Sequence, residues 1–315
     1  MKLKKICVLG GSGFVGSALV ARLDAAGYEV TVLTRRRESA KHLILLPHVN
    51  VEECNILDYQ ALNSALRGVD AVINLVGILH QGRRVSFNTM HHQLPAQLAK
   101  ICADLGVKRL MHMSSLRADK EAPSQYLRSK AAGEADLLTM RDKLNITIFR
   151  PSIIFGRGDR FINLFATLIK FLPVVLLAKP NAKFQPIWVE DVASCFVNAL
   201  ENTSTYGQTY ELAGPKVYSF RELVQTVMNT LKIKRPIIGL CNALSYTQAF
   251  AMELLPVKLM SRDNVRSMEV DSVSEHALPA MLGVEPATLE AVIPEYLVDH
   301  TSRGAYDRFR SFAAR

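Results

Sequence analysis

The chain opens with a short apolar run, Lys5–Leu9, followed by a glycine-spaced turn and a helical stretch over 13–26. Runs of similar length recur at 29–33, 49–54, 71–75, Arg109–Met113 and 146–149. Segments with helical spacing of apolar positions lie between them, at 59–66, 90–105 and 126–143. The short runs are apolar on both faces, as strands covered on two sides require. Strand and helix in strict alternation, joined by right-handed crossovers, predict an α/β fold built on a doubly wound parallel sheet.

After Arg150-Pro151 the alternation fades. Helical stretches at 161–172, 189–201, 219–231 and 241–255 mix with proline and glycine turns, and Thr209–Leu212 reads as a strand that rejoins the sheet. The expected division is a dinucleotide-binding domain over 1–155, completed by parts of 185–215. A smaller, mostly helical subdomain over 156–184 and 216–315 would cap the substrate or partner side.

The turn after the first strand reads Gly10-Gly11-Ser12-Gly13-Phe14-Val15-Gly16. Gly10 and Gly13 permit a tight turn and close backbone approach, and Gly16 lets the helix pack on the strand. The N–H groups at the helix start, around Phe14 and Val15, together with the helix dipole, favour a pyrophosphate. This is the fingerprint of a Rossmann fold.

In such folds the residue ending the second strand reads the adenosine ribose. Here the chain runs Thr34-Arg35-Arg36-Arg37, with no carboxylate until Glu38. Arg35 or Arg36 can grip a 2′-phosphate with a planar fork, so NADP(H) is expected over NAD. Asp58, after the third strand, can bond the adenine amino group, N-cap the next helix, or do both. Val76 and Gly77 end the fourth strand, where a glycine lets the backbone pass beside the cofactor ribose. Tyr126 and Lys130 stand at i and i+4 and share a helical face. A neighbouring ammonium and a cationic nicotinamide lower a phenol's pKa, which makes Tyr126 a candidate general acid or base. Lys130 can also donate to the nicotinamide ribose.

Composition changes the picture little. With 315 residues, 49% hydrophobic and 21% charged, the chain suits a globular protein of one large or two unequal domains. The five cysteines are scattered without metal-ligand or CxxC spacing and read as reduced thiols. No metal site is expected: His91 and His92 are adjacent and point apart, and His80 stands alone. The net charge of +9 favours anionic partners, but no compact basic run with interleaved aromatics points to nucleic acid. Lys2, Lys4 and Lys5 before an apolar run resemble a signal peptide, but the glycine turn breaks that run. A cytoplasmic protein is expected. Two apolar stretches, 161–178 and 240–260, are interrupted by charges and prolines and do not suit a membrane span. Buried helices are one reading of them, and docking on a membrane surface or a partner is the other. The basic, aromatic tail at 306–315 reads as a solvated end, or as a partner or lipid contact.

The glycine turn, the 74–77 strand end, Ser114-Ser115, Tyr126-x-x-x-Lys130 and Arg150-Pro151 together resemble the extended or atypical short-chain dehydrogenase/reductase superfamily over about residues 1–200. Finer features at 113–118, 126–134, 150–161 and 259–265 resemble the NADPH-binding accessory subunits of respiratory complex I and their bacterial homologues. The resemblance implies Tyr126, Lys130, Ser114 and Ser115 as the catalytic set and places Pro151 beside the cofactor. One departure stands out. Active sugar-nucleotide epimerases of the superfamily carry Ser or Thr at the third position after the fifth strand, where this chain has Leu116. Ser115 can substitute if the loop shifts. At the helix position where the superfamily often has a relay Asn, this chain has His91, read as a partly exposed helix histidine. Asp191 reads as a first-turn charge. The resemblance therefore implies either an NADP(H)-dependent oxidoreductase or epimerase, with a small-molecule substrate that no motif identifies, or a subunit that keeps NADPH and docks on a respiratory complex or at the inner face of a membrane. A redox-sensing regulator is the third possibility.

Overall fold

The computed structural model describes residues 3–82, 85–255 and 259–298. The basic tail at 306–315, Lys2, and Pro256 to Lys258 of the second apolar stretch lie outside these residues. Two compact units result. The first comprises Met1–Pro151, Glu190–Leu212 and Ser274–Glu285, and the second Ser152–Val189, Ala213–Val273 and Pro286–Arg315. Ser274–Glu285 thus groups with the sheet, whereas the sequence reading had put it in the smaller unit.

The first unit is built on β1 (Lys5–Leu9), α1 (Phe14–Ala25), β2 (Glu29–Thr34), β3 (Val49–Glu53), α2 (Tyr59–Ala65), β4 (Ala71–Asn74), α3 (Leu94–Asp104), β5 (Arg109–Met113), α4 (Gln125–Thr139) and β6 (Asn145–Pro151). The strands and a last one at Thr209–Leu212 form one seven-stranded sheet. Its order is Thr209–Leu212, β6, β5, β4, β1, β2, β3, with every pairing parallel. Strand order reverses between β1 and β4, the switch point at whose carboxyl ends ligands bind in open parallel sheets. The registers place apolar partners side by side, with Val8 beside both Val32 and Ile73. Leu94, Leu98, Ile101, Leu110, Ile146 and Ile148 are buried in the core on the face covered by α3 and α4.

The helix expected over 90–105 departs from the α form at its start. Asn88–Gln93 is a π-helical turn that leads into α3. The turn lies tight against α4: a Cβ on Gly133 would stand 1.9 Å from the His91 carbonyl oxygen, so the two elements meet at backbone contact there. Single-turn π segments are uncommon and are often found at functional sites.

At the amino end of β5, Arg109 is fully buried without a carboxylate. Its guanidinium donates to the Thr147 and Thr205 hydroxyls, both at 2.7 Å, and to the Ala199 carbonyl at 3.1 Å, and it stacks over Tyr206. Neutral acceptors and an aromatic face surround the two terminal nitrogens, while Nε has no partner among the described residues.

The second unit gathers helices Ile162–Phe171, Phe220–Leu231 and Leu289–Leu297 around stacked aromatics, with Phe161 and Phe220 at 5.5 Å. Asp159 caps the first helix from inside and accepts from the N–H groups of Phe161 at 2.8 Å and Ile162 at 2.6 Å. Two helices were not legible in the pattern. Arg262–Ser267 is short and rests on a Ser261/Asn264 capping box, and Leu289–Leu297 carries Pro294 inside it. Among the described residues no helix is long and apolar enough to cross a membrane.

Candidate functional site

β1 delivers the chain into the glycine turn at the switch point. Gly10 has φ of 79°, in the left-handed region, and a Cβ there would press on the Leu75 carbonyl carbon at 3.1 Å. The tightest contact is at Gly16, where a Cβ would lie 2.3 Å from the Gly10 oxygen. Gly11 was not singled out in the sequence, yet a Cβ there would meet Val32 of β2 at 2.8 Å. Gly13 is the N-cap of α1 and has no side-chain cap. The helix start is therefore presented to an anion rather than closed by its own side chain. Phe14 and Val15 form its first turn.

At the end of β2, Arg35 and Arg36 are exposed, and neither is in a salt bridge among the described residues. The local backbone is fixed around them: the Thr34 hydroxyl donates to the Arg36 carbonyl at 3.1 Å, as does the Ser39 hydroxyl at 2.7 Å. Glu53, on the adjoining strand, accepts from the Arg37 N–H at 2.7 Å. Asp58 N-caps α2 through one oxygen, which accepts from Gln60 and Ala61.

The third cluster surrounds Lys130. Its ammonium, buried against β5, donates to the Met113 carbonyl at 3.0 Å. A Cβ on Gly77 would lie 3.4 Å from this nitrogen, so the end of β4 passes directly over it. Burial pulls the Lys130 pKa down to about 8, with Glu134 opposing the shift. Glu134 is itself held by Arg150 through a forked contact, with Nε at 2.9 Å from one oxygen and 3.0 Å from the other.

Tyr126 bonds the Ser115 side chain. Burial holds the phenol above its ordinary pKa, and the Ser115 hydrogen bond opposes this. The neighbour favouring ionisation is therefore Ser115. Lys130 is not among the groups that shift the phenol; its ammonium donates to the Met113 carbonyl. Ser114 is buried, and its hydroxyl has no partner. A water or ligand is the remaining way to satisfy it.

Leu116 is buried, and its N–H donates to the Pro151 carbonyl at 2.9 Å. Ser115, expected to substitute for the missing serine at 116, is the side chain that acts on the phenol. Arg117 follows at φ of 63°, a left-handed turn that bends the chain back. Pro151 closes β6 and is buried.

His91 also departs from expectation: it is wholly buried rather than partly exposed. Its Nε2 accepts from the Ile78 N–H at 3.0 Å, so Nδ1 carries the proton and donates to the Ser129 hydroxyl at 2.9 Å. Burial, aided by the charge of Lys130, drives its pKa down to about 2. The imidazole is a neutral strut that braces the strand end at Ile78 against α4, with Tyr126 edge-on to it at 5.4 Å. Asp191 lies in the first turn of its helix, as expected. Among the described residues no group of three His, Cys, Asp or Glu side chains could hold a metal ion.

A family model described as NAD dependent epimerase/dehydratase family matches residues 6–213. The chain belongs to this family. The match spans the glycine turn, the Tyr126–Lys130 pair and the seventh strand, and it makes the protein a short-chain-dehydrogenase-like binder of a nicotinamide dinucleotide. A mitochondrial NADH dehydrogenase [ubiquinone] 1 alpha subcomplex subunit 9 of Arabidopsis thaliana is 31% identical, over 94% of this chain and 78% of its own length. A ceramide reductase of Caulobacter vibrioides is 30% identical over 61% of this chain and 59% of its own. In fold, the chain is similar to a dTDP-glucose 4,6-dehydratase double mutant from Streptomyces venezuelae, solved with NAD and DAU bound. That structure has a TM-score of 0.75 at 20% identity and covers 98% of this chain and 99% of that one.

Proposed function

We propose that this family member binds NADP(H) and moves hydride between its nicotinamide and a small carbonyl or alcohol, with Tyr126 passing the proton. The Tyr126–Lys130 pair at i and i+4 on one helix, with Ser115 acting on the phenol and Lys130 buried against β5, supports this reading. The nicotinamide supplies or receives the hydride. Tyr126 is the acid for a nascent alkoxide, and Ser115 holds its hydroxyl. Lys130 donates to the cofactor ribose, and a cationic nicotinamide ring beside the phenol would lower its pKa. Gly10, Gly13, Phe14, Val15 and Gly16 cradle the pyrophosphate, while Val76, Gly77 and Pro151 line the nicotinamide side and Asp58 the adenine side.

The free guanidiniums of Arg35 and Arg36 support NADP(H) over NAD. A charge-assisted bond contributes roughly 1.5–3 kcal/mol. The Arg35→Ala variant is therefore expected to weaken NADPH binding by about tenfold or more while leaving NADH within about twofold, as read by titration calorimetry. Equal loss for both cofactors sinks the phosphate grip.

A second reading keeps the cofactor bound without turnover, in an accessory subunit of a respiratory complex. The similarity to the complex I subunit over nearly the whole chain favours it, as does the phenol held above its ordinary pKa. The Tyr126→Phe variant separates the two. With turnover, the parent oxidises NADPH against some member of a carbonyl panel, and the variant loses about 100-fold or more in kcat at unchanged NADPH affinity. A parent protein that never oxidises NADPH across the panel leaves the accessory reading.

A further inference from the structure

Among the described residues the second unit carries a largely apolar ridge, on which Arg262 lies over the Phe250 ring at 5.1 Å. Helix Asn242–Glu253 buries Ser245 and Ala249, while its outward arc presents Ala243, Leu244, Thr247, Phe250 and Ala251, all exposed and uncharged. Leu254, just past its end, continues the arc and is 74% exposed. The helix is tied to a two-stranded parallel sheet by Gln248, which donates to the Leu176 carbonyl at 3.2 Å. In that sheet Leu176 is in register with Ile238, and both side chains are exposed. Phe171, which precedes the sheet, is 80% exposed. Exposed apolar side chains gathered on one unit in this way mark a docking site.

The charge around the ridge indicates what docks. Residues 160–189 and 231–252, which build it, contain no Asp or Glu but seven Lys and Arg. Lys170 directly precedes Phe171 in the chain, and Lys232, Lys234 and Arg235 lead into Ile238; none of the four is in a salt bridge among the described residues. Arg235 is fixed to the end of helix Ile162–Phe171 by a bond to the Ile169 carbonyl at 3.4 Å, which brings this basic group beside Lys170 and Phe171. Glu253, the helix's own acid, is occupied by Arg262 at 3.0 Å. A protein interface of this size needs about one hydrogen bond per 100–200 Å², and the outward arc offers only the Thr247 hydroxyl. An anionic lipid surface needs none: it takes apolar side chains below the headgroups and cations among them.

We infer that the second unit docks on an anionic bilayer surface, with Leu244, Phe250 and Leu254 entering the headgroup boundary and the flanking lysines among the phosphates. The inference deepens the membrane-surface reading of the apolar stretches and does not depend on the cofactor chemistry, because no residue of the ridge belongs to the candidate site. Vesicle flotation of the full chain tests it, with pure phosphatidylcholine against phosphatidylcholine containing phosphatidylglycerol. The protein is expected to float with the anionic vesicles, to dissociate as salt is raised, and to stay behind with the neutral ones. Phe250→Glu with Leu254→Glu, and separately Lys232→Glu with Lys234→Glu, are each expected to reduce flotation by about tenfold or more. Thermal melts and NADPH titration confirm that these surface variants are folded. No binding to anionic vesicles, equal binding to neutral ones, or binding that both double variants retain would overturn the docking surface, and a protein partner would then take its place.

Discussion

Acidification from pH 6.5 to 5 is expected to remove about 3 kcal/mol of folding stability, a large part of what a domain of this kind has. The cause is two histidines held neutral inside the first unit. His91 and His112 are 0% and 1% exposed. Burial drives the first down to about 2 and the second well below its ordinary value, and the Lys130 charge opposes protonation of both. Asn74 faces the His112 Nδ1 at 3.1 Å, and the opposite ring nitrogen has no partner. The sign follows from proton counts. Below pH 6.5 the unfolded chain takes up two protons that the folded chain refuses, so stability is full above 6.5 and is lost as pH falls. Each histidine contributes a slope approaching about 1.4 kcal/mol per pH unit. Urea denaturation at the two pH values measures the loss. His91→Gln keeps an acceptor for Ile78 and a donor for Ser129, and it is expected to flatten the dependence by about half. A stability profile unchanged by the variant would mean that His91 is not the titrating group.

Gly16→Ala is expected to abolish tight dinucleotide binding. The added Cβ would lie 2.3 Å from the Gly10 oxygen, 2.6 Å from the Gly11 Cα and 2.6 Å from the Gly11 oxygen. All three are backbone atoms, so no side chain can swing aside. The turn has to open by about 1 Å to reach ordinary contact, and displacement of that size typically costs about 100-fold in a positioned site. Overpacking adds about 1–3 kcal/mol of lost stability. Gly82→Ala is the control, because a Cβ there meets nothing within 4 Å. Fluorescence titration with NADPH reads both. An alanine at 16 that binds as the parent does would show that the turn is not the pyrophosphate cradle.

The sheet was legible because its signals are local and repeated. β1 and β5 fall where the apolar runs place them, and the expected strand at Thr209–Leu212 pairs with β6. The small paired strands of the second unit were not legible, since two or three residues leave no period to read. Leu289–Leu297 was hidden by Pro294, which argues against a helix on local grounds and is tolerated by packing. In the site, the glycine spacing and the Tyr126–Lys130 pair could be read directly. Ser114 and Ser115 could be named only through the family resemblance, because a strand end gives no count of how the following loop turns. Gly11 was passed over because its neighbour, Val32, lies on another strand.

The amino-acid sequence alone settles the α/β class, the glycine turn, the acid-free basic segments and the shared face of Tyr126 and Lys130. Each of these depends on residues close together in the chain, where the period of a helix or strand fixes what faces what. Tertiary structure decides which serine meets the tyrosine, where the Lys130 ammonium is directed, that His91 is a buried neutral strut, and which apolar side chains of the second unit stay uncovered. Those outcomes depend on contacts between distant segments, and burial, which sets the pKa values and leaves the ridge exposed, does not exist until those segments pack.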